Sequence, residues 1–425
     1  MNPSNIERVK ILLLGQGARE HAIVKALIRT GTSAADITVA PGNAGIAQEV
    51  HCEPGLDSNN PLEVTNFALQ HKIELAIIGP EAPLIAGVSD ALRDQGIAVF
   101  GPSQKAAQLE GSKSFAKEVM SAAGVPTGRA HECSTLEEVA DALDDFGAPY
   151  VVKADGLAAG KGVIVTDDRE AAMAHAQKFI DMGILVEEFL DGPEVSLFFL
   201  SDGKNVVALT PAQDFKRAFD HDKGPNTGGM GAYSPLPWLP ANFVEEVETT
   251  IAMPVIQEMD RLGAPFIGLL YCGLIITERG VRVIEFNARF GDPETQVVLR
   301  RLITSLSGLL YKAATGHLET SAQPEFTKDV AITVVLASEG YPDSGAPNRP
   351  IHGLKDAESD VHIEVCHAAT AEQDGELVST GGRVLSVVAT NRTFAHARKH
   401  AYEALEKIHL KGSHYRKDIA AKVAE

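Results

Sequence analysis

Apolar runs of strand length alternate with helical patterns throughout the first hundred residues of this chain. Candidate strands lie at residues 9–14, 37–40, 75–78 and 98–100, and helical stretches between them include residues 61–70 and 88–95. Alternation of this kind predicts an α/β fold with a parallel sheet. The ligand site of such a sheet lies at the carboxyl ends of its strands.

Three loops that contain glycine together with polar or charged residues follow these strands, at residues 15–21, 41–45 and 79–84, and can converge on one ligand. The first loop resembles a dinucleotide-binding turn, so a nicotinamide cofactor is one alternative. That fingerprint needs a third glycine where this chain has Glu20, and a carboxylate beside a pyrophosphate would repel it. The pattern therefore disfavours a dinucleotide site.

A glycine-rich loop after an apolar strand offers donors for phosphate. It begins at Lys153 and contains Gly156, Gly160, Lys161 and Gly162. Glycine lets backbone N–H groups approach anionic oxygens with no Cβ in the way, and the two lysines add positive charge. An ordinary turn is the alternative for this loop taken alone.

A second stretch, more than a hundred residues further on, offers metal ligands. Strand alternation places Val283, Glu285 and Asn287 on one face, so that a carboxylate and an amide oxygen point together. Such ligands suit Mg²⁺ better than a soft metal. Alternatively, Arg289 is simply an ion-pair partner of Glu285. The conjunction of this stretch with the glycine loop favours a site for a nucleotide and a metal.

Charge and composition exclude several classes of protein. The net charge of −19 argues against a nucleic-acid partner, because binding to a phosphate backbone needs a concentrated positive face. With 425 residues, the chain exceeds what one hydrophobic core organises, which predicts several domains. Its four cysteines include no CxxC pair, which favours a reducing cytoplasm. No apolar stretch has membrane-spanning length and no export signal is visible, so we expect no membrane partner and a cytoplasmic location.

Three further segments suggest parts of the same site. Lys113 lies in a helical stretch and is either a phosphate contact or a surface lysine. Residues 185–194 form an apolar strand ending in acids, which could contact adenine and ribose or be a solvated hinge. Residues 224–233 are too rich in glycine for a helix or a central strand, which favours a mobile loop over a structural turn.

Two other regions have the pattern of compact units. Residues 124–184 combine two helices with two strands around the glycine loop, a unit small enough to move as a lid. The last hundred residues contain strands at 328–337 and 384–389 and a helix at 393–408. Basic residues in that last region, Arg383 and Arg416 among them, either face a phosphate or are surface charges.

Together these motifs resemble the phosphoribosylamine–glycine ligases, also called glycinamide ribonucleotide synthetases, of the ATP-grasp superfamily. The matching segments follow the family's order: residues 17–21, 41–45, 79–84, 109–113, 153–162, 213–214, 224–235, 285–296 and 381–383. The resemblance implies an α/β, multidomain ATP-grasp fold. Its expected parts are an N-terminal Rossmann-like parallel-sheet domain (1–103), a central domain (104–123 and 186–327), a lid subdomain (124–185) and a C-terminal α+β domain (328–425).

The resemblance also implies a reaction, the second step of purine biosynthesis. ATP, glycine and 5-phosphoribosylamine would become glycinamide ribonucleotide, ADP and phosphate through a glycyl-phosphate intermediate. The expected metal is Mg²⁺ or Mn²⁺, and the expected assembly is a monomer or weak homodimer.

Site roles are carried over from the family onto matching positions. Catalysis would involve Arg289, Asp214 and Lys216. ATP would contact Lys113, Lys153, Gly156, Gly160, Lys161, Gly162, Glu187, Glu188, Leu190 and Glu194. Glycine and phosphoribosylamine would contact Gly17, Arg19, Glu20, Asn43, Pro80, Glu81, Gly228, Gly229 and Asp292. Glu285 and Asn287 would bind the metal.

Three positions depart from the family pattern: Ala18 replaces a glycine, Phe215 replaces a histidine, and Gly273 stands where many superfamily members have a further acid. Two rival interpretations remain. Another ATP-grasp ligase or carboxylase would share Lys153 and Glu285 but lack the first-domain loops. A non-catalytic nucleotide-binding regulator would be favoured only if Arg289, Asp214 or the metal ligands were missing.

Overall fold

The first hundred residues form a five-stranded parallel sheet in the order β3-β2-β1-β4-β5, which confirms the predicted alternation. The computed structural model describes residues 9–156, 162–318 and 323–425. The strands of this first unit are β1 (Ile11–Gly15), β2 (Ile37–Pro41), β3 (His51–Cys52), β4 (Leu75–Ile78) and β5 (Ala98–Phe100). Its helices are α1 (Ala18–Arg29), α2 (Pro61–His71), α3 (Glu81–Ile85) and α4 (Val88–Asp94).

Local sequence explains these elements. Every residue of β1 and β4 is buried, as expected for parallel strands covered by helices on both faces. Helix α2 begins after Asn60, whose side chain accepts hydrogen bonds from the first turn, and Pro61 occupies the first helical position. The carboxyl ends of the strands are thereby fixed as one edge, where the three loops emerge.

Residues 130–187 form a four-stranded antiparallel sheet in the order β6-β9-β7-β8, which we call the lid unit. Helices α5 (Gln108–Gly111) and α6 (Lys113–Ala123) lead into it. Its own elements are β6 (Ala130–Cys133), α7 (Leu136–Phe146), β7 (Tyr150–Ala154), β8 (Val163–Thr166), α8 (Arg169–Phe179) and β9 (Ile184–Glu187). A separate hydrophobic core, including Leu143, Val152 and Ala176, holds it together. Strand β9 pairs with β6 and β7 and therefore crosses the domain boundary predicted at residue 185.

The predicted metal strand lies in a second antiparallel sheet, in the order β11-β10-β16-β17. The strands that follow the lid unit are β10 (Glu194–Asp202), β11 (Val206–Ala208), β12 (Gln213–Asp214), β13 (Arg217–Phe219), β14 (Lys223–Asn226), β15 (Gly231–Ser234), β16 (Ile267–Thr277) and β17 (Gly280–Asn287). The helices of this region are α9 (Phe243–Val247), α10 (Met253–Arg261), α11 (Glu294–Arg301) and α12 (Leu306–Ala314). Strand β17 ends at the predicted metal ligands.

A β-bulge in β17 corrects the predicted face of the metal strand. Opposite β16, Gly273 pairs with Glu285 but Leu274 pairs with Val283, so one residue of β17 is left over. Val283 and Phe286, which lie on opposite faces of a regular strand, are accordingly both buried in the hydrophobic core. Glu285 and Asn287 still share a face, whereas the expectation that Val283 joins them was wrong.

The C-terminal region combines two antiparallel sheets with one long helix. Its elements are β18 (Val330–Ala337), β19 (Arg349–His352), α13 (Leu354–Ala357), β20 (Ile363–His367), β21 (Thr370–Gln373), β22 (Glu376–Ser379), β23 (Arg383–Asn391), α14 (Phe394–Lys407), β24 (His409–Leu410) and α15 (Ala421–Ala424). The predicted strands near 330 and 385 and the predicted helix are β18, β23 and α14. Thr393 caps α14 by accepting a hydrogen bond from the N–H of His396.

Strand β15 is a central strand of the sheet β12-β15-β18-β23-β20. This corrects the expectation that residues 224–233 contain no central strand, since β15 pairs on both edges. Glycine is required there because a Cβ on Gly231 would lie 2.7 Å from the carbonyl oxygen of Thr333. The same sheet crosses the domain boundary predicted at residue 328. Within the described ranges, no helix is long and apolar enough to cross a membrane.

Candidate active site

Glu285 lies in a strongly positive environment near the end of β17. Burial raises the pKa of its carboxyl group, but neighbouring cations outweigh burial and bring the pKa below its ordinary value. Those cations are, in order of effect, Lys216, Lys153, Lys113 and Arg289. Four segments that are far apart in the sequence therefore converge on one carboxylate, as the conjunction of motifs predicted.

Lys153 belongs to a buried ion-pair network under the lid unit. Its Nζ lies 2.9 Å from Oε2 of Glu187 and donates to the carbonyl oxygen of Ile284 at 3.4 Å. Nζ of Lys117 lies 3.5 Å from the other carboxylate oxygen of Glu187. Burial lowers the pKa of Lys117, and Glu187 opposes that shift. Glu187 thus holds two lysines, one of which the sequence pattern did not distinguish from surface lysines.

Lys113 and Asp155 fasten the start of the glycine loop to helix α6. Nζ of Lys113 donates to the carbonyl oxygens of Ala154 and Gly156, both at 2.9 Å. The Asp155 carboxylate accepts from the backbone N–H groups of Lys113 at 2.5 Å and Ser114 at 3.4 Å, a favourable place for an anion at a helix N-terminus. Lys113 is therefore not the solvated surface lysine of the alternative interpretation.

The backbone at the two ends of the loop is well defined, and at Gly156 it requires glycine. Gly156 has φ +101°, a conformation that L side chains rarely adopt. The carbonyl oxygen of Gly162 accepts from the N–H of Ala154 at 2.7 Å, which closes the loop. Gly160 and Lys161 lie outside the described residues.

The acids that follow β9 are paired with cations. Glu188 lies 3.0 Å from Nε of Arg129 and 2.7 Å from Nη2 of Arg279. Burial raises the pKa of Glu188, but hydrogen bonds from Arg279 and Arg129 outweigh it and lower the pKa. Leu190 is half-buried beside Gly128. The predicted adenine contacts stay predictions, and the Glu188 carboxylate is already engaged.

Asp214, Lys216 and Glu194 form an acid–base cluster beside β10. Nζ of Lys216 lies 2.5 Å from Oε2 of Glu194, the residue predicted to hold ribose. Burial raises the pKa of Asp214 to about 7, with Lys216 opposing and the negative charges of Glu294 and Glu194 adding to the shift. Asp214 can therefore change its protonation state near neutral pH.

A buried hydrogen-bond network includes Glu294, whose charge adds to the rise in the Asp214 pKa. The hydroxyl of Tyr271 donates to Oε1 of Glu294 at 2.6 Å and lies 2.8 Å from Oγ of Ser196. All three side chains are buried, where polar groups need hydrogen-bond partners. Sequence reasoning assigned none of these residues, because each lies in an ordinary strand or helix pattern.

Arg289 is held by two carboxylates, and neither is Glu285. Its Nη2 lies 2.9 Å from Oε1 of Glu110, and its Nε lies 3.4 Å from Oε2 of Glu81. Glu81 is the first residue of α3, directly after the N-cap Pro80. Burial lowers the pKa of Arg289, but the charges of Glu110 and Glu81 outweigh it and raise the pKa. The interpretation of Arg289 as the ion-pair partner of Glu285 was wrong.

At the first strand end, a carboxylate occupies the place that a dinucleotide phosphate would need. Glu20 accepts from the N–H of Gly17 and from Nε of Arg19, both at 2.6 Å. Nη1 of Arg19 donates to the carbonyl oxygen of Phe290 at 3.1 Å. Because the N-terminus of α1 is capped by Glu20, the structure supports the argument against a nicotinamide cofactor.

Asn43, predicted to bind substrate, uses its whole side chain within the protein. Its Nδ2 donates to the carbonyl oxygens of Gln16 and His367, both at 2.8 Å. Its Oδ1 accepts from the N–H groups of Gly45 at 2.9 Å and Ile46 at 3.0 Å. An amide group offers two donors and two lone pairs, so only the Asn43 backbone is left for a ligand.

Arg383 fastens the Gly228–Gly229 loop to Asp292. Its Nη1 donates to the carbonyl oxygens of Gly228 at 2.6 Å and Asp292 at 2.9 Å and lies 3.3 Å from Oδ1 of Asp292. The N–H of Gly228 donates to the hydroxyl of Tyr341 at 3.0 Å. In this structure the loop is held by the C-terminal region, which differs from the expected mobile cover.

Arg416, which the sequence suggested as a possible phosphate contact, is a structural residue. It is buried, pairs with Asp222 at 2.8 Å and with Asp418 at 2.7 Å, and its guanidinium lies 5.0 Å from the centre of the Phe215 ring. Phe215, which replaces the family's histidine, thus takes part in a cation–π contact.

Family models match three consecutive parts of the chain. They are described as the N domain (residues 9–110), the ATP-grasp (A) domain (111–295) and the C domain (331–422) of phosphoribosylglycinamide synthetase. The chain belongs to the phosphoribosylglycinamide synthetase family. The matches to the N and C domains of this family remove the rival interpretation of another ATP-grasp ligase or carboxylase, and the expected ATP-grasp fold is confirmed.

Individual relatives agree with this family. The phosphoribosylamine–glycine ligase of Leifsonia xyli subsp. xyli is 62% identical over 419 residues, which cover 97% of this chain and 100% of that protein. The crystal structure of phosphoribosylamine–glycine ligase from Thermotoga maritima has a TM-score of 0.84 at 32% identity and covers 97% of this chain and 100% of that one. The biotin carboxylase domain of Hydrogenobacter thermophilus 2-oxoglutarate carboxylase shares the fold alone, with a TM-score of 0.70 at 19% identity over 96% of this chain and 91% of that one.

Two departures from the synthetase family pattern have simple structural settings. Ala18 is the first residue of α1 and has helical backbone, so no glycine is needed there. Gly273 lies directly opposite Glu285 in the β-ladder, and a Cβ there would be 3.2 Å from Cγ of Glu285. A further acid at that position would therefore stand beside Glu285.

Proposed function

We propose that this protein joins glycine to 5-phosphoribosylamine with ATP, giving glycinamide ribonucleotide, ADP and phosphate in the second step of purine biosynthesis. The observation that carries the proposal is the arrangement of cations around Glu285: Nζ of Lys153 reaches the carbonyl oxygen of its neighbour Ile284 at 3.4 Å, Nζ of Lys113 holds the adjoining glycine loop at 2.9 Å, and Lys216 and Arg289 add positive charge. Such a cluster suits the phosphates of ATP, because cations neutralise the phosphoryl oxygens and a carboxylate can hold a bridging metal ion. The names of close relatives supply the substrates.

In the first step, a carboxylate oxygen of glycine attacks the γ-phosphorus of ATP. The bond from that phosphorus to the bridging oxygen breaks, ADP leaves, and glycyl phosphate forms. Lys113 and Lys153 neutralise the phosphate oxygens, and Arg289 stabilises the charge that develops on the transferred group. The protein mainly positions charge here and supplies no nucleophile.

In the second step, the amine nitrogen of phosphoribosylamine attacks the acyl carbon of glycyl phosphate. The acyl carbon–oxygen bond breaks, phosphate leaves, and the amine loses a proton to water or to the departing phosphate. Asp214 in its ionised form would hold the ammonium group of glycine, and Lys216 and the Gly228–Gly229 loop would hold the acyl phosphate. Glu81 and the loop around Gly17 would face the phosphoribosylamine.

The predicted metal ligands fit a hard divalent cation. Glu285 and Asn287 offer oxygen ligands from one face of β17. Among the described residues no ion pair within 4.0 Å engages the Glu285 carboxylate, and Oδ1 of Asn287 accepts only a long contact of 3.4 Å from Nη2 of Arg289, which a bound cation would replace. The described ranges contain no group of three or more His, Cys, Asp or Glu residues that could hold a metal. Two protein ligands therefore leave room for phosphate oxygens and water. A bound Mg²⁺ or Mn²⁺ would neutralise charge on the transferred phosphoryl group.

The lid unit supplies most of the proposed nucleotide contacts. Within the lid unit, Lys153 and the glycine loop would cover the phosphates and Glu187 would border adenine. Beyond the lid unit, Glu188 and Leu190 would complete the adenine border, and Glu194 at the start of β10 would hold the ribose. A separate core suits the lid unit to move as one body over ATP. Loop closure of this kind excludes water from an acyl phosphate that would otherwise hydrolyse.

An omission experiment tests the proposal. Purified protein is given ATP with Mg²⁺, glycine, and phosphoribosylamine generated in place from ribose 5-phosphate and ammonia, and each component is left out in turn. We expect ADP release only with all three substrates, together with a product of the mass of glycinamide ribonucleotide. ATP binding without turnover under any of these conditions would overturn the ligase and leave a nucleotide-binding regulator.

A further inference from the structure

The ion pairs of Arg289 come from two different parts of the chain. Glu110 lies on α5, directly before the segment that supplies Lys113, and its side chain is 8% exposed. Glu81 lies at the carboxyl edge of the first-unit sheet, and its side chain is 40% exposed. One guanidinium thus bridges a buried carboxylate on α5, next to the ATP-grasp segment that supplies Lys113, and a solvent-accessible carboxylate at the edge of the first-unit sheet.

Glu110 is buried against Arg289 and the backbone of Ala288; burial raises the pKa of its carboxyl group, and the charge of Arg289 and the Ala288 N–H oppose that shift. Its Oε2 accepts from the N–H of Ala288 at 2.7 Å, and its Oε1 faces Arg289. The space that Glu110 lines with Glu81 and Leu84 is too small for a water molecule. A buried carboxylate without a cation is strongly unfavourable, so Glu110 and Arg289 fix one another. The Ala288 contact also ties Glu110 to the backbone between Asn287 and Arg289.

We propose that Glu110 is a positioning residue that holds the Arg289 guanidinium in place for phosphoryl transfer. We further infer that Glu81 makes the contacts of Arg289 depend on whether the acceptor, phosphoribosylamine, is bound in the first unit. Both inferences rest on the proposed function. Arginine has a long, flexible side chain, and a charge that is placed before the reaction stabilises a transition state without reorganisation. Because Glu81 is exposed, an acceptor bound in the first unit can compete for it, whereas Glu110 stays fixed.

The decisive variant is Glu110→Gln, which keeps the shape and the acceptor for the Ala288 N–H but removes the charge that faces Arg289. We expect kcat to fall by roughly 10- to 100-fold, the range for a misplaced catalytic group, while KM for ATP and glycine changes by less than about threefold. Glu258→Gln is the matched control, because Glu258 is also a little-exposed glutamate paired with an arginine, Arg261, on α10. It should leave both constants unchanged.

A double-mutant cycle separates positioning from general damage to the fold. In an Arg289→Ala background, Glu110→Gln should reduce kcat by less than about twofold, because the group that it positions is gone. A full 10-fold loss in that background, or an unchanged kcat in the single variant, would overturn the positioning role. The melting temperature and the ATP dissociation constant of each variant show whether the fold is intact.

Glu81→Gln tests the link to the acceptor site. We expect KM for phosphoribosylamine to rise at least fivefold with a smaller change in kcat, the opposite signature to that of Glu110→Gln. An effect on kcat alone would refute the link. Failure of the wild-type protein to make glycinamide ribonucleotide would instead refute the proposed function, so the two failures are distinguishable.

Discussion

At the scale of single residues, the site places one carboxylate, that of Glu285, among several cations, most of which also pair with other acids of the protein. Glu285 is an anion among four cations, so it opposes the binding of free phosphates and favours a metal ion. Comparing nucleotide binding with and without Mg²⁺ therefore separates two effects of Glu285, the repulsion of free phosphates and the binding of the metal ion.

Glu285→Gln should change the two kinds of ATP binding in opposite directions. Binding of ATP in the presence of EDTA should tighten roughly fivefold, because a repulsive charge worth about 1 kcal/mol is removed. Binding of Mg–ATP should weaken, because a metal ligand is lost. Calorimetric titration with and without Mg²⁺ measures both constants. Weakening in both conditions would contradict the assignment of Glu285 as a metal ligand, and Glu258→Gln serves as the control.

The activity should decrease as the pH falls below neutrality, because Asp214 becomes protonated. Burial, with Glu294 and Glu194, raises the pKa of this carboxyl group to about 7, so below that pH it is protonated and cannot pair with the ammonium group of glycine. We expect kcat/KM for glycine to fall about tenfold per pH unit below 7, and Asp214→Asn to have low activity without this pH dependence. A flat wild-type profile between pH 5.5 and 8 would disprove the assignment.

At the scale of elements, local patterns were sufficient where the decisive interactions are local. Strands β4 and β5 begin and end at the predicted residues, because short apolar runs bounded by turn residues define them. The bulge in β17 depends instead on register with the neighbouring strand β16, and the central position of β15 depends on pairing with the distant strand β18. Neither is visible in the sequence around Val283 or Gly231.

The Gly228–Gly229 loop is expected to tolerate no side chain. Gly229 has φ +106°, and a Cβ there would lie 2.4 Å from Cδ of Pro293. Gly263 is a matched control, since it has φ +65° but nothing lies within 4 Å of its Cβ position. Gly263→Ala should cost about 1–2 kcal/mol of unfolding free energy, and Gly229→Ala roughly 1–3 kcal/mol more together with most of the activity. Urea unfolding and the ligase assay measure these losses, and equal losses at the two positions would show that the loop can relax.

At the scale of the whole molecule, those parts of the candidate site could be predicted whose function follows from the type of residue and its spacing along the chain. The glycine loop, Glu285 and Asn287 were predicted in this way, whereas the role of Arg289 came from the resemblance to the family. Glu110 and Lys117 were not predicted, because a glutamate or lysine in a helical pattern is ordinarily a surface residue and only the packing of distant segments buries these two. The contacts between the first unit and the C-terminal region likewise could not be predicted from local sequence patterns.

Those contacts should make the assembled molecule sensitive to acid. His367 on β20 donates its backbone N–H to Nδ1 of His21 on α1 at 2.9 Å, and both rings are buried. Burial lowers the pKa of both histidines, that of His367 to about 3, so the folded protein keeps them neutral while the unfolded chain takes up protons below about pH 6.5. The free energy of unfolding should therefore fall as pH drops from about 6.5, by up to about 1.4 kcal/mol per pH unit for each histidine.

Urea unfolding at pH 8, 6.5 and 5.5 measures this dependence. The slope of the unfolding free energy against pH should be smaller for His367→Asn than for the wild type and unchanged for the exposed control His352→Asn. Equal slopes in wild type and His367→Asn would mean that this contact does not set the acid sensitivity of the fold.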